Sequence, residues 1–199
     1  MTQSDLSLRM QENAWVNLKI RKAVPQDAQK VYEIANSLKI NKENPQKNGF
    51  LVYVTDLEGY KKRIEHTPYF YIAERDGEAI GFMFCFDEKV LTKLVQKKII
   101  TGEDETFSFY FGKKKQFVLV DQLGVQKQHT NQGVGKALFD AFFKDIIGKR
   151  CDVYAEILHK PIRNNSTIGF CKSIGFNEIT EIANADKNTW GIYHIPSEL

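Results

Sequence analysis

The sequence predicts a mixed α/β fold, on three observations. β-prone segments stand on both sides of amphipathic helical ones. An Asp76-Gly77 pair joins two aromatic runs in the way a hairpin turn does. Phe117 to Phe139 reads as a strand, a glycine-bearing loop and a helix, a unit able to hold a pyrophosphate. At 199 residues, with 42% hydrophobic and 27% charged side chains, the chain suffices for one domain with a sizeable core.

Residues 1–14 are polar and read as a flexible tail, and residues 15–199 as the folded domain. Val16, Leu18 and Ile20 alternate with polar residues, the period of a half-buried strand. Pro25 and Asp27 then open a helix with Val31, Ile34, Ala35 and Leu38 on one face. A loop through Asn41 to Gly49 leads to a helix from Leu57 to His66, limited by Pro68. Tyr69 to Ala73 and Ala79 to Phe86 form the hairpin. Val90, Leu91, Leu94, Val95 and Ile99 recur at helical spacing on a segment whose polar face carries Lys89, Lys93, Lys97 and Lys98. With Lys113 to Lys115 this makes a basic insertion over residues 89–115, read as a solvated surface or, more sharply, as a contact for an acidic partner or for phosphates. The strand before Val125 and a helix from Val134 to a cap at Gly148 follow. Val153 to Leu158 is a strand, Ser166 to Ile174 a short helix, and Phe176 to Ile182 and Thr189 to Ile195 the last two strands.

Composition excludes several classes. A balance of 28 Lys plus Arg against 25 Asp plus Glu gives a net charge of +3, too small for a nucleic-acid-binding surface. Three cysteines without CxxC spacing argue against a disulfide framework or a structural zinc site, and His66, His159 and His194 share no metal-ligand spacing, so no metal is expected. Nothing approaches the ~20 continuous apolar residues that span a bilayer. A protein of the cytoplasm, without membrane partners, is expected.

The loop is decided by register. Gly133 and Gly135 at the start of a helix bring unpaired backbone N–H groups to the positive end of the helix dipole, where phosphate is stabilised, and Lys136 adds a cation. A Walker-type loop needs glycine at 130 and Ser or Thr at 137, where Thr130 and Ala137 stand. A dinucleotide fingerprint needs glycine or alanine at 138, which is Leu138.

Val120-Asp121-Gln122-Leu123-Gly124-Val125, followed by His129-Thr130-Asn131-Gln132-Gly133-Val134-Gly135-Lys136-Ala137-Leu138, resembles the strand, R/Q-x-x-G-x-G/A loop and helix of the GNAT N-acetyltransferase superfamily. Thr130 stands where that family usually has Arg or Gln. A second block, Asn164 and then Phe170-Cys171-Lys172-Ser173-Ile174-Gly175-Phe176, resembles the family's N-x-x-A and F-Y-x-K-x-G-F, with Thr167, Cys171 and Ser173 departing from it. Ile20 to Asp27 and Ile72 to Phe82 resemble its first strand and central hairpin.

The resemblance implies a mostly antiparallel central sheet with splayed parallel strands and flanking helices. It implies acetyl-CoA as cofactor, lying between the strand that ends near Val125 and the strand Val153 to Leu158. Leu123, Gly124 and Val125 would hold the pantetheine arm, and the Val125 N–H would face the thioester carbonyl. His129, Thr130, Asn131, Gln132, Gly133, Val134, Gly135 and Lys136 would bind the pyrophosphate, and Asn164 would touch the arm. The implied activity is direct transfer of acetyl to a primary amine, on a small molecule or a peptide, in a ternary complex. A non-catalytic acyl-CoA-binding sensor is the alternative, and a homodimer is compatible with either.

Such an amine, with a pKa of about 10.4 if lysine-like, must lose a proton before it attacks. Asp121 and Glu156 are the candidate bases, each equally readable as a solvated or salt-bridged strand residue. Cys171, where relatives have a tyrosine held to protonate the leaving thiolate, is the candidate acid, and is also readable as a small core residue. The Asn44 to Val54 loop, the helix near Tyr60, and Trp190, Tyr193 and His194 are expected to shape specificity.

Overall fold

The fold is seen in a computed structural model that describes residues 17–41, 49–100, 105–112 and 116–197. The N-terminal tail, residues 42–48 of the first loop, residues 101–104, which hold most of the segment Gly102 to Glu105 read as an acidic turn, and the lysine run at 113–115 lie outside the described residues.

Seven strands make one sheet. Strand β1 (Leu18–Lys22) leads through a short 3-10 turn (Pro25–Asp27) into helix α1 (Ala28–Leu38), and α2 (Leu57–His66) follows. Strands β2 (Phe70–Arg75) and β3 (Glu78–Asp87) form the hairpin, α3 (Glu88–Gln96) and α4 (Glu105–Phe111) the insertion. Then come β4 (Phe117–Val125), α5 (Val134–Ile146), β5 (Asp152–Lys160), α6 (Asn165–Ser173), β6 (Asn177–Ala183) and β7 (Thr189–Ile195). Among the described residues their order in the sheet is β1-β2-β3-β4-β5-β7-β6, with β4 and β5 the one parallel pair of strands. No helix among the described residues is long and apolar enough to cross a membrane.

The central hairpin is apolar over Phe70 to Ala73 and Ala79 to Phe86 because both of its faces are covered there. Phe70 and Ile72 of β2 and Phe82, Phe84 and Phe86 of β3 meet α1, α2, α3 and α4 on one side. Tyr71, Ala73, Met83 and Cys85 meet α5 and α6 on the other. At the turn Asp76 (φ 51°) and Gly77 (φ 83°) are both left-handed, as a two-residue turn matched to strand twist requires. The aromatic stretch after the acidic turn, unassigned from sequence, is helix α4. Its Tyr110 is fully buried against Phe117 and Tyr154, and this packing decides the conformation of a segment too short to show periodicity.

The edge strand β6 is mostly exposed and is tied down by charge. Buried His159 of β5 meets Glu181 at 2.5 Å through Nδ1 and the Tyr193 hydroxyl at 3.1 Å through Nε2, and that hydroxyl donates to Glu178 at 2.9 Å. Burial pushes the Tyr193 phenol up, and the hydrogen bond from His159 holds Glu181 below the usual carboxylate range. His159, Glu178 and Glu181 place their ligand atoms within 4.8 Å of one another. The guanidinium of Arg163 stands against both carboxylates, at 3.7 and 3.8 Å, and is the cation of this cluster.

Gly191 leaves room for the imidazole: a Cβ there would lie 2.3 Å from His159 Nε2. Gly191→Ala is therefore expected to destabilise the fold by about 1–3 kcal/mol through overpacking. At roughly 2–4 °C per kcal/mol for a chain of this size, a thermal melt reads it directly.

Candidate active site

The parallel pair β4 and β5 is joined only from Phe117↔Asp152 to Val120↔Ala155. Beyond that level the strands part, and the break has a local cause. On β3, Phe84 and Cys85 face Gln122 and Val120 of β4, so Asp121 is the extra residue of a β-bulge. A bulge bends its strand and re-aims the side chain it carries. Asp121 is thus the first residue past the last β4–β5 pair, and Glu156 the first past it on β5. The two carboxylates nominated from sequence flank the mouth of the opening.

Below them the backbone of β4 is turned to the gap. The Gln126 N–H donates to Ile80 O on β3 at 2.9 Å. Amides alternate sides along a strand, so those of Leu123 and Val125 face away from β3, toward the side β5 has left. Gly124 faces inward instead: a Cβ there would lie 2.6 Å from the Phe82 ring and 3.1 Å from Leu38, so this glycine serves packing.

Two cavities meet at this opening. The larger, about 710 Å³, is lined by Asp121, Glu156, Cys171, Leu123 and Asn164, and by Arg63, Tyr53 and Trp190. The smaller, about 360 Å³, is lined by Val125, His129, Thr130, Asn131, Gly133, Val134, Gly135 and Lys136. Leu123, Phe50, Leu51 and Thr167 border both.

The smaller cavity suits an anion. Helix α5 starts after Gly133, whose φ of 77° is left-handed, and no side chain caps it. Its first hydrogen bond is Ala137 N–H to Gly133 O, so the amides before it open toward the cavity these residues line. Gly135 is needed for a second reason invisible in sequence: its Cβ would lie 3.1 Å from the Phe170 ring of α6. Lys127, His129 and Lys136 supply cations or donors around the rim, Lys136 also pairing with Asp140 at 2.8 Å. Gln132 does not line this cavity; its side chain is bonded to Arg75.

Asp121 is exposed where it opens onto the larger cavity, with the protein body enclosing it around that opening. The enclosure pushes its carboxyl up to about 6, opposed by the positive charge of Arg63. Arg63, which sequence reading did not single out, is held by Gly59 O at 3.1 Å, and its Nε is buried without a hydrogen-bond partner among the described residues. Burial pushes the Cys171 thiol up to about 12. Asn164 is committed locally: its Oδ1 accepts from Thr167 N–H at 3.3 Å, capping α6, and its Nδ2 donates to Phe50 O at 3.0 Å.

Of the segments expected to shape specificity, Tyr53 and Trp190 stack at 5.8 Å and line the larger cavity, and Asp186 beside them accepts from the Tyr53 hydroxyl at 2.5 Å. Tyr60 is buried and donates to Gln122 at 2.9 Å, Tyr193 serves the His159 network, and His194 stacks on Tyr154 at 4.7 Å; none of these three lines the cavity. The insertion contributes what its lysines did not announce. Leu91, Ile99, Ile100 and Phe107 form one wall of the cavity, while Lys89, Lys93, Lys97 and Lys98 are solvated.

A cavity for a phosphate-bearing donor joined to one with a raised carboxylate is the arrangement of a group transferase, which must hold two substrates against one base. The sequence matches the acetyltransferase (GNAT) family model over residues 29–176, and the chain belongs to that family. That family is one of acetyltransferases. No curated protein sequence matches it significantly. Among solved structures the fold is shared with Ard1 from Thermoplasma volcanium, at 17% identity and TM-score 0.64, covering 90% of this chain and 97% of that one. It is shared with yncA, a putative acetyltransferase from Salmonella typhimurium with its cofactor acetyl-CoA, at 15% identity and TM-score 0.63, covering 92% and 95%. Naa50 of Arabidopsis thaliana, in complex with the bisubstrate analogue CoA-Ac-MVNAL, has 14% identity and TM-score 0.62, covering 90% and 98%.

Proposed function

We propose that the protein acetylates a primary amine seated in the larger cavity, by direct attack in a ternary complex, with Asp121 as general base. The observation that carries this is the placement of Asp121: bulged out of β4, at the point where the sheet opens, with its carboxyl raised to about 6. At neutral pH it remains ionised, yet it takes a proton more readily than an ordinary carboxylate near 4. Glu156, level with it on β5, helps to hold the ammonium form of the acceptor as it enters. The stacked Tyr53 and Trp190 form the outer wall, which suits a small amine or a peptide N-terminus; Naa50, a structural neighbour, is complexed with a peptide analogue.

Bound acetyl-CoA supplies the activated acetyl thioester. The residues present fit it: the uncapped turn at Gly133 to Lys136 and the rim of Lys127 and His129 would take its phosphates, and the gap-facing amides of Leu123 and Val125 its arm. The Val125 N–H would serve as a fixed donor to the thioester carbonyl oxygen, stabilising the negative charge that acyl transfer develops there. Asn164 contributes by fixing the Phe50 wall and the start of α6.

Cys171 acts by packing. A thiol raised to about 12 is a weaker acid than an ordinary thiol near 8.5, so protonating a departing thiolate from it is uphill. Cys171→Ala is expected to keep turnover within a few-fold of the parent, and a collapse in kcat with CoA binding intact would restore its catalytic role.

The function is tested by incubating the protein with acetyl-CoA and a panel of small amines and peptides while following free thiol. Thiol release that depends on one amine class is the expected result. CoA must also raise the melting temperature by mass action, and binding without thiol release on any acceptor would overturn the proposal.

A further inference from the structure

The phosphate loop is braced from β2, two strands over from β4 at the same end of the sheet. Arg75, the last residue of β2, donates from Nη1 to Gln132 Oε1 at 2.6 Å and lies 3.1 Å from His129 Nδ1. Gln132 in turn donates to Gln128 O at 2.8 Å. Arg75 does not line the smaller cavity, whereas His129 does.

A guanidinium only donates. Its bond to His129 therefore exists only while Nδ1 keeps a lone pair, which places the ring proton on Nε2. The same nitrogen pattern governs histidines at metal sites, where the partner of one ring nitrogen decides what the other can do. Here the result is an N–H donor on a residue at the cavity wall. Position 130 makes this consequential. Thr130 spends its hydroxyl on Lys127 O at 2.8 Å, so no long side chain reaches from that position.

We propose that Arg75 is a positioning residue that holds His129 as an Nε2–H donor to a phosphate oxygen of coenzyme A and anchors Gln132, providing from the hairpin what Thr130 does not provide from the loop. The proposal rests on coenzyme A being the ligand of the smaller cavity. The phosphate is either the pyrophosphate or the ribose 3′-phosphate, which offer the same acceptor chemistry.

The test measures CoA affinity by calorimetry for the parent, Arg75→Met, Arg75→Lys, His129→Ala and the Arg75→Met/His129→Ala double variant, with ring ¹⁵N spectra of His129. The expected spectrum of the parent shows the Nε2–H tautomer. Each of Arg75→Met and His129→Ala is expected to weaken CoA by about tenfold, as for one hydrogen bond to a charged group. The double variant should be no weaker than that, since both act through one contact. Arg75→Lys, which keeps one donor arm, should recover part of the loss. With dephospho-CoA as ligand the deficit disappears if the 3′-phosphate is the acceptor and persists if the pyrophosphate is, and either pattern supports the proposal. Full CoA affinity in Arg75→Met, or an Nδ1–H tautomer in the parent, would overturn it while leaving the cofactor site standing. A parent that binds no CoA would instead sink the proposed function and this inference together.

Discussion

Asp121→Asn is expected to lower kcat/KM by about 10²–10⁴-fold, the contribution of a positioned general base. The amide keeps the shape of the carboxylate and cannot take a proton. The parent should gain activity with rising pH along a limb centred near 6, the value to which enclosure raises this group. Arg63→Met removes the charge that opposes the shift, so the carboxyl rises further and the limb moves to higher pH. A limb unmoved by Arg63→Met would separate the titration from Asp121. The same shift has a sign for stability. A carboxyl whose folded pKa exceeds its unfolded one binds more protons when folded, so stability falls as pH rises from about 4 through about 6. Asp121→Asn should melt above the parent at pH 7, and the gap should close as pH approaches the ordinary aspartate range. An inactive variant that is also the more stable one separates a loss of chemistry from a loss of fold.

Gly135→Val is expected to cost on the order of 10²-fold in CoA affinity with the fold retained. A Cβ at this position already sits 3.1 Å from Phe170, and the added methyl groups have only the cavity to enter. Displacing the phosphate from the amides of the first turn forfeits one or two charge-assisted hydrogen bonds, roughly 1.5–3 kcal/mol each. Calorimetry with CoA reads the loss, and near-parental affinity would move the phosphate site elsewhere. Gly133→Ala probes the backbone instead: a left-handed residue at φ 77° acquires a Cβ at about 1–2 kcal/mol, which a melt reports.

The sequence by itself carried the element order apart from α4, the hairpin turn and the loop. Each is local: Asp76-Gly77 needs only its own backbone to turn, and the 3.6-residue repeat behind Gly133 needs only one buried face. The two candidate carboxylates were also visible, as charged residues in apolar strands, without any sign of which served chemistry. The proposal for Asp121 rests on tertiary structure. A bulge exists only as a mismatch between two strands, so the extra residue at Asp121 depends on β3, about 36 positions earlier in the chain by its pairing with Cys85 and Phe84. The raised carboxyl depends on the protein body that surrounds it, and Arg63, 58 positions earlier in the chain, limits the rise. The insertion showed its lysines but not its role as a cavity wall, and Arg75 reaches His129 and Gln132 across 54 and 57 residues. Periodicity registers neighbours along the chain, whereas a site in a sheet is assembled across it.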